Sequence, residues 1–172
     1  APPVPWLINS GAADAIAAES PFMADYYRRA GIPGDQVRLT GALYDDVLHR
    51  GLEHAPQSRE ELFRELGLPP GRPMILCAMP PNQLVGAGRP QCAYQDYRLV
   101  LEAFAGPLEA LADEWNVVVN LHPRITADEA AVLDGRRLRV SRRNIADLVP
   151  LSRIFVASSS ATIRLAVTCG IP

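Results

Sequence analysis

Residues 154–166 read Ile-Phe-Val-Ala-Ser-Ser-Ser-Ala-Thr-Ile-Arg-Leu-Ala. The first four form an apolar run typical of a buried strand, and residues 161–166 are typical of a helix. Between them, Ser158, Ser159 and Ser160 supply three consecutive hydroxyl groups, and Thr162 adds a fourth. The first amide hydrogens of a helix are unpaired and its dipole favours an anion, so this arrangement predicts a seat for a phosphate or a sugar. Ser160 is expected to cap the helix.

Strand-like and helix-like segments alternate along the chain before this stretch. Strands are predicted at residues 74–79, 117–121, 138–140 and 154–157. Helices are predicted at residues 94–113, 126–133, 144–149 and 161–169. The apolar runs lack polar alternation, which indicates a parallel sheet covered on both faces. With right-handed crossovers the sequence therefore predicts an α/β, doubly wound, Rossmann-like parallel-sheet domain.

The residues before this repeat predict a different layer. A strand at 14–19, a helix capped by Ser20 with Pro21 at its first position, and a strand at 37–40 follow one another. Residues 53–57 are interpreted as a linker, after which Ser58 and Glu61 form a capping box for a helix ending at Gly67. The sequence thus predicts the tail of a first domain over residues 1–52 and a Rossmann-like domain over residues 53–172. A Gly-x-Pro after a helix usually leads into another strand, so we expect a fold truncated at both ends.

Composition excludes several classes of function. The 172 residues are 48% hydrophobic with a net charge of -2, which favours a packed core and argues against nucleic acid as a partner. No apolar run approaches the roughly 20 residues of a transmembrane helix, and no signal peptide is recognisable. Cys77, Cys92 and Cys169 are scattered, so we expect reduced thiols in a cytoplasmic protein and no metal or other cofactor. All 17 basic residues are arginine, which excludes a P-loop lysine within the chain.

Ligands of doubly wound sheets bind at the carboxyl ends of the strands, so the loops there are the candidate site. His122-Pro123-Arg124 follows the predicted strand at 117–121. Histidine suits acid–base chemistry, and the guanidinium of Arg124 can fork to a phosphate. The alternative is that His122 only satisfies the local structure.

Two further segments lie at this edge. The loop at 80–88 is long, and Asn82 and Gln83 are candidates to contact a ligand as the loop closes. Its Gly86-x-Gly88 lacks a third glycine and is a weak dinucleotide signal. The second segment is an arginine cluster that we interpret mainly as solvated surface, although Arg142 or Arg143 could reach a phosphate; its members are Arg136, Arg137, Arg139, Arg142 and Arg143.

The order of these elements resembles the GT-B superfamily. The resemblance rests on Val37-Arg38-Leu39-Thr40-Gly41 followed by Asp45, the His-Pro strand end, Asp147-Leu148, the serine run and Gly170-Ile171-Pro172. The most similar groups are the UDP-N-acetylglucosamine 2-epimerases and the capsule-polysaccharide and CDP-glycerol-type transferases. Such proteins have two Rossmann-like domains with a sugar nucleotide in the cleft. The resemblance implies that this chain covers the end of the first domain and most of the second.

The resemblance also implies roles for residues. His122 would be the catalytic group, and a nucleotide-sugar or related small molecule would be held without metal by Asn82, Gln83, Arg124, Ser158, Ser159, Ser160 and Thr162. Family members usually place a glutamate for the ribose in the following helix, where this chain has Leu165 beside Arg164. The epimerases show paired glycines where this chain has serines, which favours a transferase. A homodimer is one possible assembly, which the sequence does not decide.

Three functions therefore stand as alternatives. The first is binding of a nucleotide-activated sugar or polyol in surface-polysaccharide biosynthesis, as part of a glycosyltransferase-like enzyme. The second is a UDP-N-acetylglucosamine 2-epimerase-type isomerase, which product analysis would distinguish from the first. The third is a non-catalytic Rossmann-like module that binds a ligand or a partner, for which substitution of His122 would leave activity unchanged.

Overall fold

The computed structural model of the chain describes residues 13–42, 45–82, 94, 96–158 and 160–172. The chain divides into two compact units, with the boundary between Val47 and Leu48. The first unit contains strand β1 (Ile16–Ala18), helix α1 (Pro21–Arg29) and strand β2 (Val37–Leu39). β1 and β2 pair in parallel, with Ile16 opposite Val37. The Ser20 hydroxyl accepts a hydrogen bond from the Met23 amide at 3.2 Å, which confirms the predicted cap.

Two consecutive helices follow, α2 (Asp45–Glu53) and α3 (Ala55–Leu66). The predicted linker at 53–57 and the capping box at Ser58 are therefore wrong, since only His54 separates the helices and the Ser58 amide donates to the His54 carbonyl at 3.1 Å. Ala55 is buried in the same cluster as Leu62 and Phe63, so tertiary packing extends the helix. Pro56 does not oppose this because the first helical amides need no intrahelical acceptor. α3 ends as predicted at Gly67, which has a φ of 61°.

The second unit is built on a four-stranded sheet. Its strands are β3 (Met74–Ala78), β4 (Asn116–Asn120), β5 (Arg139–Ser141) and β6 (Ile154–Ala157). They are all parallel and lie in the order β5-β4-β3-β6. The chain winds outward from β3 to β5 and then returns to the other side of β3, so the winding direction reverses between β3 and β6. The doubly wound α/β class is confirmed.

Both faces of the two central strands of the sheet are buried. Along β3 and β4, Ile75 and Val117 belong to one cluster, which packs against helix α4 (Tyr97–Glu109). Leu76 and Val118 belong to the other cluster, which includes side chains of α3 and of the short helices α6 (Ile145–Leu148) and α7 (Ile163–Thr168). Strands that are buried on both faces need no polar alternation, which is why β3 and β4 are apolar apart from the two asparagines of β4.

Local capping signals positioned most of the helices. The predicted capping box of Thr126 and Glu129 is present at the start of helix α5 (Ala127–Ala130), which continues into a 3-10 turn over Ala131–Leu133. α4 begins later than predicted, because the Asp96 carboxylate accepts from the Arg98 amide at 2.9 Å and sets the start at Tyr97. A second 3-10 turn, Val149–Leu151, follows α6.

Two sequence expectations about environment can be compared with the fold. Within the described ranges, no helix is long and apolar enough to cross a membrane. Cys77 is buried and in no disulfide, and its thiol donates to the Met79 sulfur at 3.8 Å. Burial raises the pKa of this thiol to about 12. Cys169 is also in no disulfide among the described residues, and Cys92 lies outside them.

Candidate functional site

The carboxyl ends of the four strands meet at one edge of the second unit. The last paired row there runs Ala157–Ala78–Asn120–Ser141 across the sheet. Two of these four residues are alanines, whose small side chains leave space at the end of the sheet. A cavity of about 350 Å³ opens at this edge.

Residues at or after the carboxyl end of each of the four strands line this cavity. The lining residues come from the end of β3 (Ala78, Met79), the end of β4 (Asn120, Leu121, His122, Pro123), the segment after β5 (Arg142, Arg143, Asn144, Ile145) and the segment after β6 (Ser160, Thr162). The structure thus brings together three residues that the sequence selected, His122, Ser160 and Thr162. We call this the carboxyl-edge cavity.

His122 is half-buried, and its tautomer is set by a local contact. Its Nδ1 accepts a hydrogen bond from the Arg124 backbone amide at 3.2 Å. In the neutral ring the proton therefore lies on Nε2, which is the nitrogen that can donate to a ligand. Arg124 itself is exposed and does not line the cavity, so it contributes its backbone rather than the guanidinium that the sequence suggested.

The serine run is arranged differently from the predicted cap. Helix α7 begins at Ile163, two residues later than predicted, and its N-cap residue Thr162 makes no side-chain capping bond. The Ser160 hydroxyl lies 2.7 Å from that of Thr162 and accepts from the Thr162 amide at 3.3 Å. Because the Thr162 amide is bonded to the Ser160 hydroxyl in this local turn, the helix begins only after Thr162. Ser158 is exposed and outside the cavity lining, and Ser159 lies outside the described residues.

The arginine cluster divides into two groups. Arg136 and Arg137 pair with Glu109 and Asp113 at 3.2 and 2.6 Å, and Arg139 donates to the Leu66 carbonyl at 2.9 Å. These three are surface contacts, as the sequence suggested. Arg142 and Arg143 instead line the carboxyl-edge cavity.

The two cavity arginines differ in their engagement. Arg142 Nη1 donates to the Ile125 carbonyl at 2.9 Å, which fixes the guanidinium while leaving other donors for a ligand. Arg143 is neutralised by an ion pair with Glu65. None of the described lining residues carries a carboxylate. The cavity therefore presents cationic and neutral donors and suits an anion, with Arg142 as its principal charge.

Asn120 is a cavity residue that the sequence analysis missed. It is 8% exposed and its Oδ1 has no hydrogen-bond partner in the described part of the chain. Asn116, on the same strand, is also buried but donates to the carbonyls of Pro69 and Arg72 at 2.9 and 3.2 Å. An amide within the otherwise apolar run Asn-Val-Val-Val-Asn was the available sequence signal.

The remaining candidate, Asn82, lies away from the cavity lining. Its Nδ2 donates to Glu129 Oε1 at 2.5 Å, and the Tyr97 hydroxyl donates to the neighbouring Pro80 carbonyl. The Thr126 amide, followed by the Asn82 amide, lowers the pKa of the Glu129 carboxyl. These bonds attach the segment after β3 to α4 and α5. Gln83 lies outside the described residues.

A larger cavity of about 710 Å³ lies at the opposite edge, next to Pro73, which precedes β3. Its other lining residues are Pro56, Arg59, Glu60, Phe63, Arg64, Leu68, Pro70, Gly71 and Arg72. Two of its arginines are held by backbone carbonyls, Arg59 by Leu151 and Arg72 by Ala112. This amino-edge cavity has the greater volume, but its described lining offers neither histidine nor hydroxyl. The chemistry therefore favours the smaller cavity.

A metal centre is not indicated by the described side chains. No group of three or more His, Cys, Asp or Glu residues among them is arranged to hold a metal ion. Any ligand at the carboxyl edge would be contacted by the arginine, imidazole, amide and hydroxyl groups described above.

Comparison with known proteins gives matches in structure and not in sequence. No protein family and no curated protein sequence matches the chain. The wall teichoic acid polymerase TagF with CDPG matches with a TM-score of 0.64 and 15% identity over 92% of this chain and 36% of that chain.

Two sugar-nucleotide epimerases match similarly. The UDP-GlcNAc 2-epimerase of Methanocaldococcus jannaschii, in complex with UDP-GlcNAc and UDP, has a TM-score of 0.62 and 12% identity over 93% of this chain and 44% of that one. The enzyme of Neisseria meningitidis bound to UDP-GlcNAc has a TM-score of 0.56 and 17% identity, over 93% and 42%.

The chain spans well under half of each of these structures, and the identities show fold alone. The GT-B resemblance of the sequence is confirmed at that level. This chain has the Rossmann-like α/β fold found in part of the GT-B teichoic acid polymerase and of the UDP-GlcNAc 2-epimerases.

Proposed function

We propose that this chain binds a nucleotide-activated sugar or polyol, as the donor-binding part of a glycosyltransferase-like enzyme of surface-polysaccharide biosynthesis. One observation carries the proposal. The carboxyl ends of the four parallel strands lie at a cavity that is lined by two arginines, a histidine and two hydroxyl side chains, with no carboxylate in its described lining. The cavity lies at the carboxyl edge, where the reversal between β3 and β6 places the ligands of doubly wound sheets.

The diphosphate of the donor would be the group recognised here. Arg142 supplies the charge, and the paired hydroxyls of Ser160 and Thr162 supply neutral donors. These groups would stabilise the negative charge that develops on the diphosphate as it leaves. Their positions are set before binding, because Arg142 is held by Ile125 and Ser160 by Thr162.

His122 would act as a donor at the same group. With Nδ1 occupied by the Arg124 amide, Nε2 of the neutral ring carries the proton and can give a hydrogen bond to a phosphate oxygen. Acting as a base at Nε2 would require the proton to move to Nδ1, where it would oppose the Arg124 amide. The geometry therefore favours a role for His122 as a neutral hydrogen-bond donor to a phosphate oxygen.

The structural neighbours support the ligand class. Their names state that they were studied with CDPG or with UDP-GlcNAc, which are ligands of those proteins. Because epimerases are among them, a UDP-N-acetylglucosamine 2-epimerase-type activity is a second candidate. Epimerised sugar or free nucleotide as the product, in place of a transferred group, would identify it.

A non-catalytic binding module is the third candidate, and one observation favours it. α7 carries no carboxylate, and Leu165 packs against the buried cluster on its face of the sheet. The usual carboxylate contact to a ribose therefore has no counterpart on this helix. A His122→Ala protein that binds a nucleotide-sugar and retains full activity would support this candidate.

The proposal is tested by thermal shift with UDP-, CDP-, GDP- and dTDP-sugars. A ligand at about 100 times its dissociation constant adds roughly 2.7 kcal/mol to the free energy of unfolding. For a chain of this size, that raises the melting temperature by about 5–10 °C. We expect a shift with at least one donor, reduced by Ser160→Ala and retained by the control Ser58→Ala in α3. No shift with any donor would refute the proposal.

A further inference from the structure

The buried Asn120 side chain has an amide oxygen to which no described residue donates a hydrogen bond, so its contribution to folding does not explain its position. It lies on the same face of β4 as Val118, in the last paired row of the sheet, and lines the carboxyl-edge cavity. Residues whose side chains leave a buried acceptor unpaired are uncommon, because the lost hydration is not replaced. Asn120 Oδ1 is such an acceptor among the described residues.

The neighbours of Asn120 across the sheet do not donate a hydrogen bond to its Oδ1. On one side Ala78 has only a methyl group. On the other side Ser141 is buried and its hydroxyl accepts from the Arg143 amide at 3.2 Å. Since no described residue pairs with Asn120 Oδ1, a group bound in the cavity is a candidate partner for this oxygen.

We propose that Asn120 is a specificity-determining residue that hydrogen-bonds a hydroxyl group of the bound ligand, an inference that rests on the proposed function. An amide offers both an acceptor and donors, and a hydroxyl can meet both because it donates and accepts. A phosphate oxygen could only accept, which would leave Oδ1 unpaired. Asn120 thus selects the sugar, polyol or ribose part of the ligand, while Arg142 and His122 face its anionic part.

Asn116 provides a matched control on the same strand. It is also buried, at 2% exposure against 8% for Asn120, but its amide donates to the carbonyls of Pro69 and Arg72 and so supports the loop before β3. Asn116→Ala should lower the melting temperature and leave ligand affinities unchanged. Asn120→Ala removes an unpaired acceptor from the wall of an existing cavity. It should leave the melting temperature of the free protein unchanged or raise it.

The test is isothermal titration of wild type, Asn120→Ala and Asn116→Ala with UDP-GlcNAc, CDP-glycerol and pyrophosphate. For a nucleotide-sugar that binds wild type, we expect Asn120→Ala to weaken binding about tenfold, the loss of roughly one to two net hydrogen bonds. Pyrophosphate has no carbon-bound hydroxyl, so wild type and Asn120→Ala should bind it with the same affinity.

The outcomes separate this inference from the proposed function. If wild type binds neither of these two ligands nor any other UDP-, CDP-, GDP- or dTDP-linked donor of the thermal-shift panel, the proposed function fails and this inference with it. If wild type binds one and Asn120→Ala binds it equally well, only the inference is overturned. An equal loss for pyrophosphate would place Asn120 at the phosphate and also overturn it. A melting temperature lowered as much as in Asn116→Ala would assign Asn120 a structural role instead.

Discussion

Arg142→Ala should weaken binding of a nucleotide-sugar because it removes the principal charge of the carboxyl-edge cavity. The Ile125 carbonyl holds one guanidinium nitrogen at 2.9 Å, so the group is already oriented. A hydrogen bond from a charged donor contributes about 1.5–3 kcal/mol, and an exposed ion pair only about 0.2–1 kcal/mol. Arg142 is an exposed residue at the cavity wall, so we expect about 1–1.5 kcal/mol, a roughly five- to thirteenfold loss of affinity.

The assay is titration calorimetry with the best ligand of the donor panel, at several salt concentrations. Charge attraction is screened by salt, so wild-type affinity should fall more steeply than that of Arg142→Ala between about 0.05 and 0.5 M salt. Arg137→Ala is the matched control, since Arg137 is an exposed arginine paired with Asp113 outside the cavity. Its affinity and salt dependence should equal those of wild type.

Two results would refute this reasoning. The first is equal affinity for Arg142→Ala and Arg137→Ala, which would mean that the anion does not lie at the carboxyl edge. The second is an Arg142→Ala protein with the wild-type salt dependence, which would mean that the lost affinity came from local structure and not from charge.

Three further predictions concern the scaffold. Leu76→Ala, at a fully buried position in β3, should lower the free energy of unfolding in urea by about 2–5 kcal/mol, while Leu111→Ala, at a 44% exposed position, should cost much less; similar losses would contradict the assigned core. The Thr126 amide lowers the pKa of the Glu129 carboxyl. The stabilisation that the ionised Glu129 carboxylate gives the folded state is therefore present at neutral pH and is lost as the pH falls through that lowered pKa. The stability difference between wild type and Glu129→Gln should therefore shrink in acid, and a difference that grew would reverse the sign we assign. Burial raises the pKa of Cys77 to about 12, so iodoacetamide at pH 8 should label Cys77 only after unfolding, as read by peptide mass spectrometry; rapid native labelling would show that the site is open.

Features that depend on neighbouring residues were predictable from the sequence. The caps at Ser20 and Thr126 are contacts over three residues, so the pattern contains both partners. The apolar strands were recognisable because both faces of the sheet are covered. The start of α3 was not predictable in this way, because the buried position of Ala55 depends on its packing within a cluster of distant residues.

The site shows the same division. The predicted parallel sheet places the loops that follow its strands at one edge, and His122, Ser160 and Thr162, which line the cavity there, were selected for that reason. The direction in which a side chain points after the end of a strand cannot be predicted from the sequence pattern. Arg124 is exposed, while Arg142 is held at the cavity by a carbonyl 17 residues away. Asn120 was missed because strand periodicity alone does not show that its amide finds no protein partner.

The most direct measurement is an NMR titration of the isotope-labelled chain with UDP-GlcNAc and with CDP-glycerol, following backbone amides. The account predicts shifts at the four strand ends, monitored by Met79, His122, Asn144 and Thr162. Leu68 and Gly71, in the amino-edge cavity, should not move. Shifts confined to Leu68 and Gly71, or no shifts with these ligands or with any other donor of the thermal-shift panel, would contradict the claim that the carboxyl edge binds a nucleotide-activated sugar or polyol.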